Sequence, residues 1–236
     1  MNKICCIFVN HKPNLYDDVF ERMSKSVDYI DFYNINPDWD SIKRLFGLMM
    51  FKEDIHDKIG EHQGNEIFIL LYYKILNSNY DYYFFCENDV LFTGNYKLLF
   101  DELTKNLYDY DAIIQNELWY PPKDWIWLSN DKYFNLLDGF SKNRCHNLLY
   151  KFYCFSNKLI DYILNGYIDG YYGHQDLCVS CMLKSFNGKY DYLSNHFLTK
   201  IMPSENDISV EDLQEKNSII HPVKQKHYED NCTNRD

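Results

Sequence analysis

One stretch constrains this chain more than any other: Tyr80-Asp81-Tyr82-Tyr83-Phe84-Phe85-Cys86-Glu87-Asn88-Asp89-Val90-Leu91-Phe92-Thr93-Gly94-Asn95-Tyr96. Its aromatic run at 82–85 reads as a strand buried on both faces. The run leads directly into Glu87-Asn88-Asp89, then three apolar residues and a turn signal at Gly94-Asn95. On an extended chain, side chains at i and i+2 point the same way. Two co-facing carboxylates at the end of an apolar strand repel each other and lose solvation unless a cation is shared. Hard divalent ions take oxygen ligands of this kind. A solvated acidic turn is the plainer reading. Position favours the metal, because ligands of open α/β sheets bind beyond the carboxyl ends of central strands.

The surrounding pattern is that of an α/β chain. Residues 4–9, Ile-Cys-Cys-Ile-Phe-Val, form a continuous apolar run that fits a central parallel strand, with Asn10 and His11 opening the loop beyond it. A polar helix of about ten residues from Leu15 and a second strand at 27–33 follow. Residues 41–64 read as partly helical. Asn65-Glu66 then precedes a helix to about Leu76 that is apolar on nearly every side and belongs against a sheet. Strand, helix, strand in this order argues for parallel pairing with right-handed crossovers. A helix at 96–106, a short strand at 111–116, a strand at 150–156 and a helix at 158–164 capped by Asn157 complete the pattern.

Further stretches carry chemistry-bearing residues. Residues 117–127 hold Trp119, Tyr120, Trp125 and Trp127 around two prolines, which excludes a regular helix or central strand. Aromatic faces of this kind stack on sugar rings, or else simply cover one side of a sheet. Residues 166–176, rich in glycine and aromatics, end in Gly173-His174-Gln175-Asp176 just before an apolar helix at 177–183. A carboxylate in a first helical turn is favoured by the helix dipole, and in an apolar pocket it also suits a general base. Late in the chain, Ser218-Ile219-Ile220-His221-Pro222-Val223-Lys224 is a short apolar approach to a histidine with a lysine beyond.

The segment Tyr83-Phe84-Phe85-Cys86-Glu87-Asn88-Asp89-Val90-Leu91-Phe92-Thr93-Gly94 resembles the acidic metal-binding segment of GT-A-fold glycosyltransferases, with Glu87 in place of the first aspartate. The Gly-rich stretch ending at Gln175-Asp176 and the late His221 resemble two further segments of those enzymes, in the same order. The resemblance implies a GT-A-like α/β fold, with a Rossmann-type, mostly parallel central sheet flanked by helices. It implies a catalytic domain at 1–203 and a segment at 204–228 that returns to the active site; residues 229–236 read as a disordered tail. It further implies Mn²⁺ or Mg²⁺ held by Asp89, Glu87 and His221, with Val9, Asn10, His11, Asn88 and Lys224 at the nucleotide. Asp176 takes the place of the base. Trp119, Tyr120, Trp125, Gly173, His174 and Gln175 fall at the sugar or acceptor. The implied reaction is an inverting transfer, hexosyltransferase in type, from a nucleotide-diphosphate sugar donor to a glycan or other hydroxyl acceptor.

Composition narrows the rivals. A net charge of −11 and no long Lys/Arg run speak against a nucleic-acid partner. No apolar run is long enough to span a membrane. Adjacent Cys5-Cys6, Cys86 and Cys178-x-x-Cys181 read as small core residues of a reducing compartment, and with only six apolar residues after Lys3 the expectation is a cytoplasmic protein. Two other functions remain: the first uses the same carboxylates and histidine, the second the tryptophan loop. A metal-dependent nucleotide or phosphoester hydrolase would need no acceptor, and a non-catalytic carbohydrate-binding protein would need no metal.

Overall fold

A computed structural model describes residues 3–11, 17–50, 66–115, 134–135, 151–173, 175–201 and 214–221. The chain begins with β1 (Ile4–Val9), α1 (Asp17–Ser24), β2 (Ile30–Ile35), α2 (Trp39–Met50), α3 (Ile67–Leu76) and β3 (Tyr82–Glu87). β4 (Leu91–Phe92), α4 (Tyr96–Thr104), β5 (Ala112–Ile114), β6 (Phe134–Asn135) and β7 (Phe152–Ser156) follow. Then come α5 (Asn157–Ile168), β8 (Tyr172–Gly173), α6 (Gln175–Phe186), β9 (Tyr190–Tyr192), β10 (Leu198–Ile201) and β11 (Ser218–His221).

Six strands form the central sheet in the order β2-β1-β3-β7-β5-β9. The pairs β1/β2, β1/β3 and β5/β9 are parallel, while β7 runs antiparallel to both of its neighbours. The sheet is therefore mostly parallel with one reversed strand inside it. β3 lies between β1 and β7, the central place its unbroken apolar run implies.

Strand parity divides the core into two layers. Cys5, Ile7, Val9, Tyr83, Phe85, Tyr153 and Phe155 face α2, α3, α5 and α6. Ile4, Cys6, Phe8, Tyr82, Phe84, Cys86, Phe152 and Cys154 face α1 and α4, with Phe197 and Ile219 beside them. α3 is buried along Ile67, Phe68, Ile69, Leu70 and Leu71, so its apolar circumference is used against the sheet and α2. Each such side chain contributes about 1.5–3 kcal/mol on burial. Cys178 and Cys181 are buried free thiols on α6, small core residues as their setting implies.

Local chemistry sets the helix starts. The Asn95 side chain accepts from the Lys97 N–H and caps α4. At α5 the cap is Ser156, whose Oγ accepts from the Leu159 N–H; Asn157, the expected cap, is the first helical residue. β2 begins at Ile30, three residues later than its apolar pattern starts, because register with β1 pairs Ile30 with Ile4.

A second sheet, β10-β11-β4, positions the site. β11 is parallel to β10 and antiparallel to β4, with Ile219 opposite Phe92 and Ile220 opposite Leu91. Thr93 fastens the same junction: its N–H donates to Ser218 O at 3.0 Å, and its Oγ1 accepts from the Ser218 N–H at 2.9 Å. No helix among the described residues is long and apolar enough to cross a membrane.

Candidate metal centre

The acidic end of β3 is not a continued strand. Glu87 is its last residue, and the Val90 N–H donates to Glu87 O at 3.1 Å, so Asn88-Asp89 forms a turn. The simple i, i+2 alternation of an extended chain therefore does not bring the carboxylates together. Parity places Glu87 on the face of Val9 and Phe85, while the turn swings Asp89 back beside it.

The third member arrives through β11. Pairing with β4 carries His221 to the position beside the turn. Its Nε2 lies 3.3 Å from Asp89 Oδ1 and 3.7 Å from Glu87 Oε2. One potential ligand atom from each of Glu87, Asp89 and His221 falls within 4.8 Å of the others. Two ligands on opposite sides of an ion with bonds of about 2.1 Å stand about 4.2 Å apart, so a small side-chain adjustment closes this set around one divalent ion. Two carboxylates and an imidazole suit Mn²⁺ and fit Mg²⁺ through their oxygens.

A residue with no assigned role in the sequence completes the centre. Lys151, just before β7, places its Nζ 2.8 Å from Glu87 Oε1. Burial works against charge on Lys151, but Glu87, Glu66 and Asp176 together hold it protonated, well above its usual range. Burial pushes the Glu87 carboxyl up to about 8, with Lys151 pulling it down and Glu66 and Asp89 adding to the rise. One ammonium thus serves several carboxylates. A divalent ion beside these carboxylates would add to the positive charge that Lys151 supplies. The signal in the sequence is a lone lysine at the start of an otherwise apolar strand, which nothing local connects to Glu87.

Asp176 is 5% exposed in the first turn of α6, where the helix dipole favours its charge. Its neighbour Gln175 is 1% exposed and committed elsewhere: Oε1 accepts from the Ile67 N–H at 2.7 Å, and Nε2 donates to Glu66. Gln175 is thus the cap of α3, while Glu66 makes no cap bond with its side chain.

Val9 is buried opposite Glu87 in the sheet, and Asn88 is buried in the turn. Asn10 is buried with its Nδ2 donating to Asp17 Oδ1 at 3.1 Å, and His11 is exposed. Gly173 pairs with Phe134 between β8 and β6. Trp119, Tyr120, Trp125, His174 and Lys224 lie outside the described residues, as does the tail at 229–236.

No protein-family model matches the sequence, and no curated protein is detectably similar to it. Among solved structures, the chain is similar to a glycosyltransferase involved in the glycosylation of the major capsid of PBCV-1. That match has a TM-score of 0.50 at 8% identity and covers 96% of this chain and 98% of the other. Mouse xyloside xylosyltransferase 1 in its apo form matches with a TM-score of 0.48 at 11% identity, over 93% and 97% of the two chains. A 4-diphosphocytidyl-2C-methyl-D-erythritol synthase from Anaerococcus prevotii matches at 0.44 and 15%, over 92% and 97%. At these identities the likeness is one of fold: the chain has the GT-A-like α/β architecture that its sequence implies.

Proposed function

We propose that the protein is a metal-dependent glycosyltransferase that moves a sugar from a nucleotide-diphosphate donor to an acceptor hydroxyl. The observation that carries this reading is the convergence of Glu87, Asp89 and His221 beyond the carboxyl ends of β1 and β3. That is where an open α/β sheet binds its ligand. The shared fold with a capsid glycosyltransferase supports the same reading.

Asp89, Glu87 and His221 hold Mn²⁺ or Mg²⁺ by their facing atoms. When bound, such an ion neutralises negative charge on the diphosphate, a contribution of several kcal/mol to the transition state. Val9, Asn10 and His11 stand at the carboxyl end of β1, where the nucleotide would lie, with Asn88 in the turn after β3. Lys224 adds positive charge at the diphosphate. The acceptor oxygen attacks the anomeric carbon while the bond from that carbon to the phosphate oxygen breaks. The electron pair leaves with the nucleotide diphosphate, and the acceptor proton passes to Asp176. Attack from the opposite face inverts the anomeric centre. Trp119, Tyr120, Trp125, Gly173 and His174 are assigned by the same reading to contact with the sugar and acceptor. Gln175 serves the site from behind, by fixing α3.

The test is calorimetric titration of UDP, GDP, CDP and ADP into wild type and Asp89→Asn, with and without Mn²⁺. One nucleotide is expected to bind wild type only with metal, and to lose that binding in the variant. Failure of all four under every condition would sink the transferase reading. Turnover of a nucleotide sugar without any acceptor, at the rate seen with one, would point to a hydrolase instead.

A further inference from the structure

Glu87 and Lys151 are cross-strand neighbours. β7 runs antiparallel to β3 with Cys86 opposite Phe152, and the Glu87 N–H donates to Lys151 O at 3.0 Å. The next pair along the ladder is therefore Glu87 with Lys151. Directly opposed residues project on the same face, which is how the ammonium reaches the carboxylate. The contact is sheltered: the Glu87 side chain is 9% exposed and that of Lys151 20%.

The two oxygens of Glu87 are thereby divided. Oε1 belongs to Lys151 at 2.8 Å, and Oε2 faces His221 Nε2 at 3.7 Å. A glutamate has three torsions, and an unheld one can present either oxygen, both, or neither. The geometry points to Lys151 as the positioning residue of the metal centre: its ammonium holds Oε1 of Glu87, so that Oε2 alone is presented toward Asp89 and His221. This rests on the metal-dependent reading above and adds a residue that the acidic motif does not contain. Glu87 then binds the ion through one oxygen, which leaves room on the ion for donor phosphate oxygens.

Two effects of Lys151 oppose each other, and they differ in sign. As a point charge, the ammonium repels a divalent cation, so its removal would tighten metal binding. As the partner of Oε1 it fixes a ligand, so its removal loosens metal binding. Outer-sphere partners that orient a ligand are typically worth about 10–100-fold in metal affinity. The direct contact at Glu87, in a site with Glu66 and Asp176 also near the ammonium, favours the second effect.

The experiment is a mutant cycle read by Mn²⁺ binding without nucleotide, using calorimetry and the electron paramagnetic resonance spectrum of the bound ion. Lys151→Met keeps the apolar stem and removes the ammonium; it is expected to weaken Mn²⁺ binding by about 10–100-fold. Glu87→Gln weakens binding too. The double variant Glu87→Gln/Lys151→Met should bind no more weakly than Glu87→Gln does, because Lys151 acts through that carboxylate and only its repulsion of the ion remains to be lost. Unchanged or tighter binding by Lys151→Met, or further weakening on adding it to Glu87→Gln, overturns the assignment. The last comparison leaves no carboxylate stranded at position 87, so it holds even where Lys151→Met alone does not fold. Absence of Mn²⁺ binding by wild type is a separate result, and it would remove the metal centre itself.

Discussion

His221 Nε2 stands 3.3 Å from Asp89 Oδ1, although one residue closes a turn after β3 and the other ends the last described strand. The contact exists because β11 pairs antiparallel with β4, the two-residue strand that directly follows the turn. The convergence of this candidate metal site is a consequence of strand pairing, and the expected effects of metal and of mutation follow from it.

Metal should stabilise the fold. An ion that binds the assembled centre and not the unfolded chain adds about 2.7 kcal/mol at a hundred times its Kd. For a chain of this size that corresponds to a rise in Tm of about 5–10 °C. A thermal melt with Mn²⁺, reversed by EDTA, checks this. Asp89→Asn should abolish the rise without lowering the metal-free Tm, because it removes one of two neighbouring carboxylates.

Gln175 should behave as a structural residue. Gln175→Leu removes the acceptor for the buried Ile67 N–H and the donor to Glu66. An unsatisfied buried donor costs about 1–3 kcal/mol. Urea denaturation should show that loss. Unchanged stability with weakened acceptor binding would return Gln175 to the acceptor side.

Gly94 should be intolerant of a side chain. A Cβ there would meet Asn217 Oδ1, and would lie 2.7 Å from Phe92 Cε1. Asn217 already has a positive φ of 56° and leads directly into β11. Gly94→Ala should cost about 1–3 kcal/mol of stability. Because the displaced segment carries His221, Mn²⁺ affinity should fall as well. Stability lost with metal affinity intact would separate this turn from the centre.

His196 gives stability a pH dependence away from the metal centre. Its Nε2 lies 2.7 Å from Asp191 Oδ2 and its Nδ1 3.2 Å from Glu102 Oε1, tying the turn after β9 to α4. Burial disfavours the imidazolium, but hydrogen bonds to Asp191 and Glu102 outweigh it, so the folded pKa is raised. Burial likewise works against the Asp191 carboxylate, yet hydrogen bonds from His196, Asn195 and the Tyr192 N–H hold it below its usual range. The raised histidine contributes fully below its unfolded pKa of about 6.5, and that contribution is lost as pH rises through the folded value. The depressed aspartate contributes above about 3.9, and its share is lost as pH falls through its folded value. His196→Gln should therefore cost about 1–3 kcal/mol near pH 5.5 and less at pH 9. A gap independent of pH would mean that the ring is neutral in the folded protein.

Much of the fold was legible in the chain because its signals are local. Continuous apolar runs at 4–9 and 82–85 mark doubly buried strands, and the all-round apolar helix before Tyr80 marks a helix against a sheet. Glu87 and Asp89 at the end of such a strand marked the candidate site, since carboxylates there are costly to desolvate. The structure departs from the sequence pattern in local geometry. Asn88-Asp89 turns where extension was expected, and Ser156 caps where Asn157 was expected, because short-range hydrogen bonds decided both: Val90 N–H to Glu87 O, and Leu159 N–H to Ser156 Oγ.

What tertiary structure alone decided is which distant residues share the site. The reversed direction of β7 puts Lys151 against Glu87, and nothing near either residue announces it. Gln175 is tied to α3 by packing between segments far apart in the chain. Residue type and spacing determined the kind of chemistry available, since side-chain charge and strand period are properties of the local chain. The partners were settled by sheet order and register, which depend on the whole chain folding together.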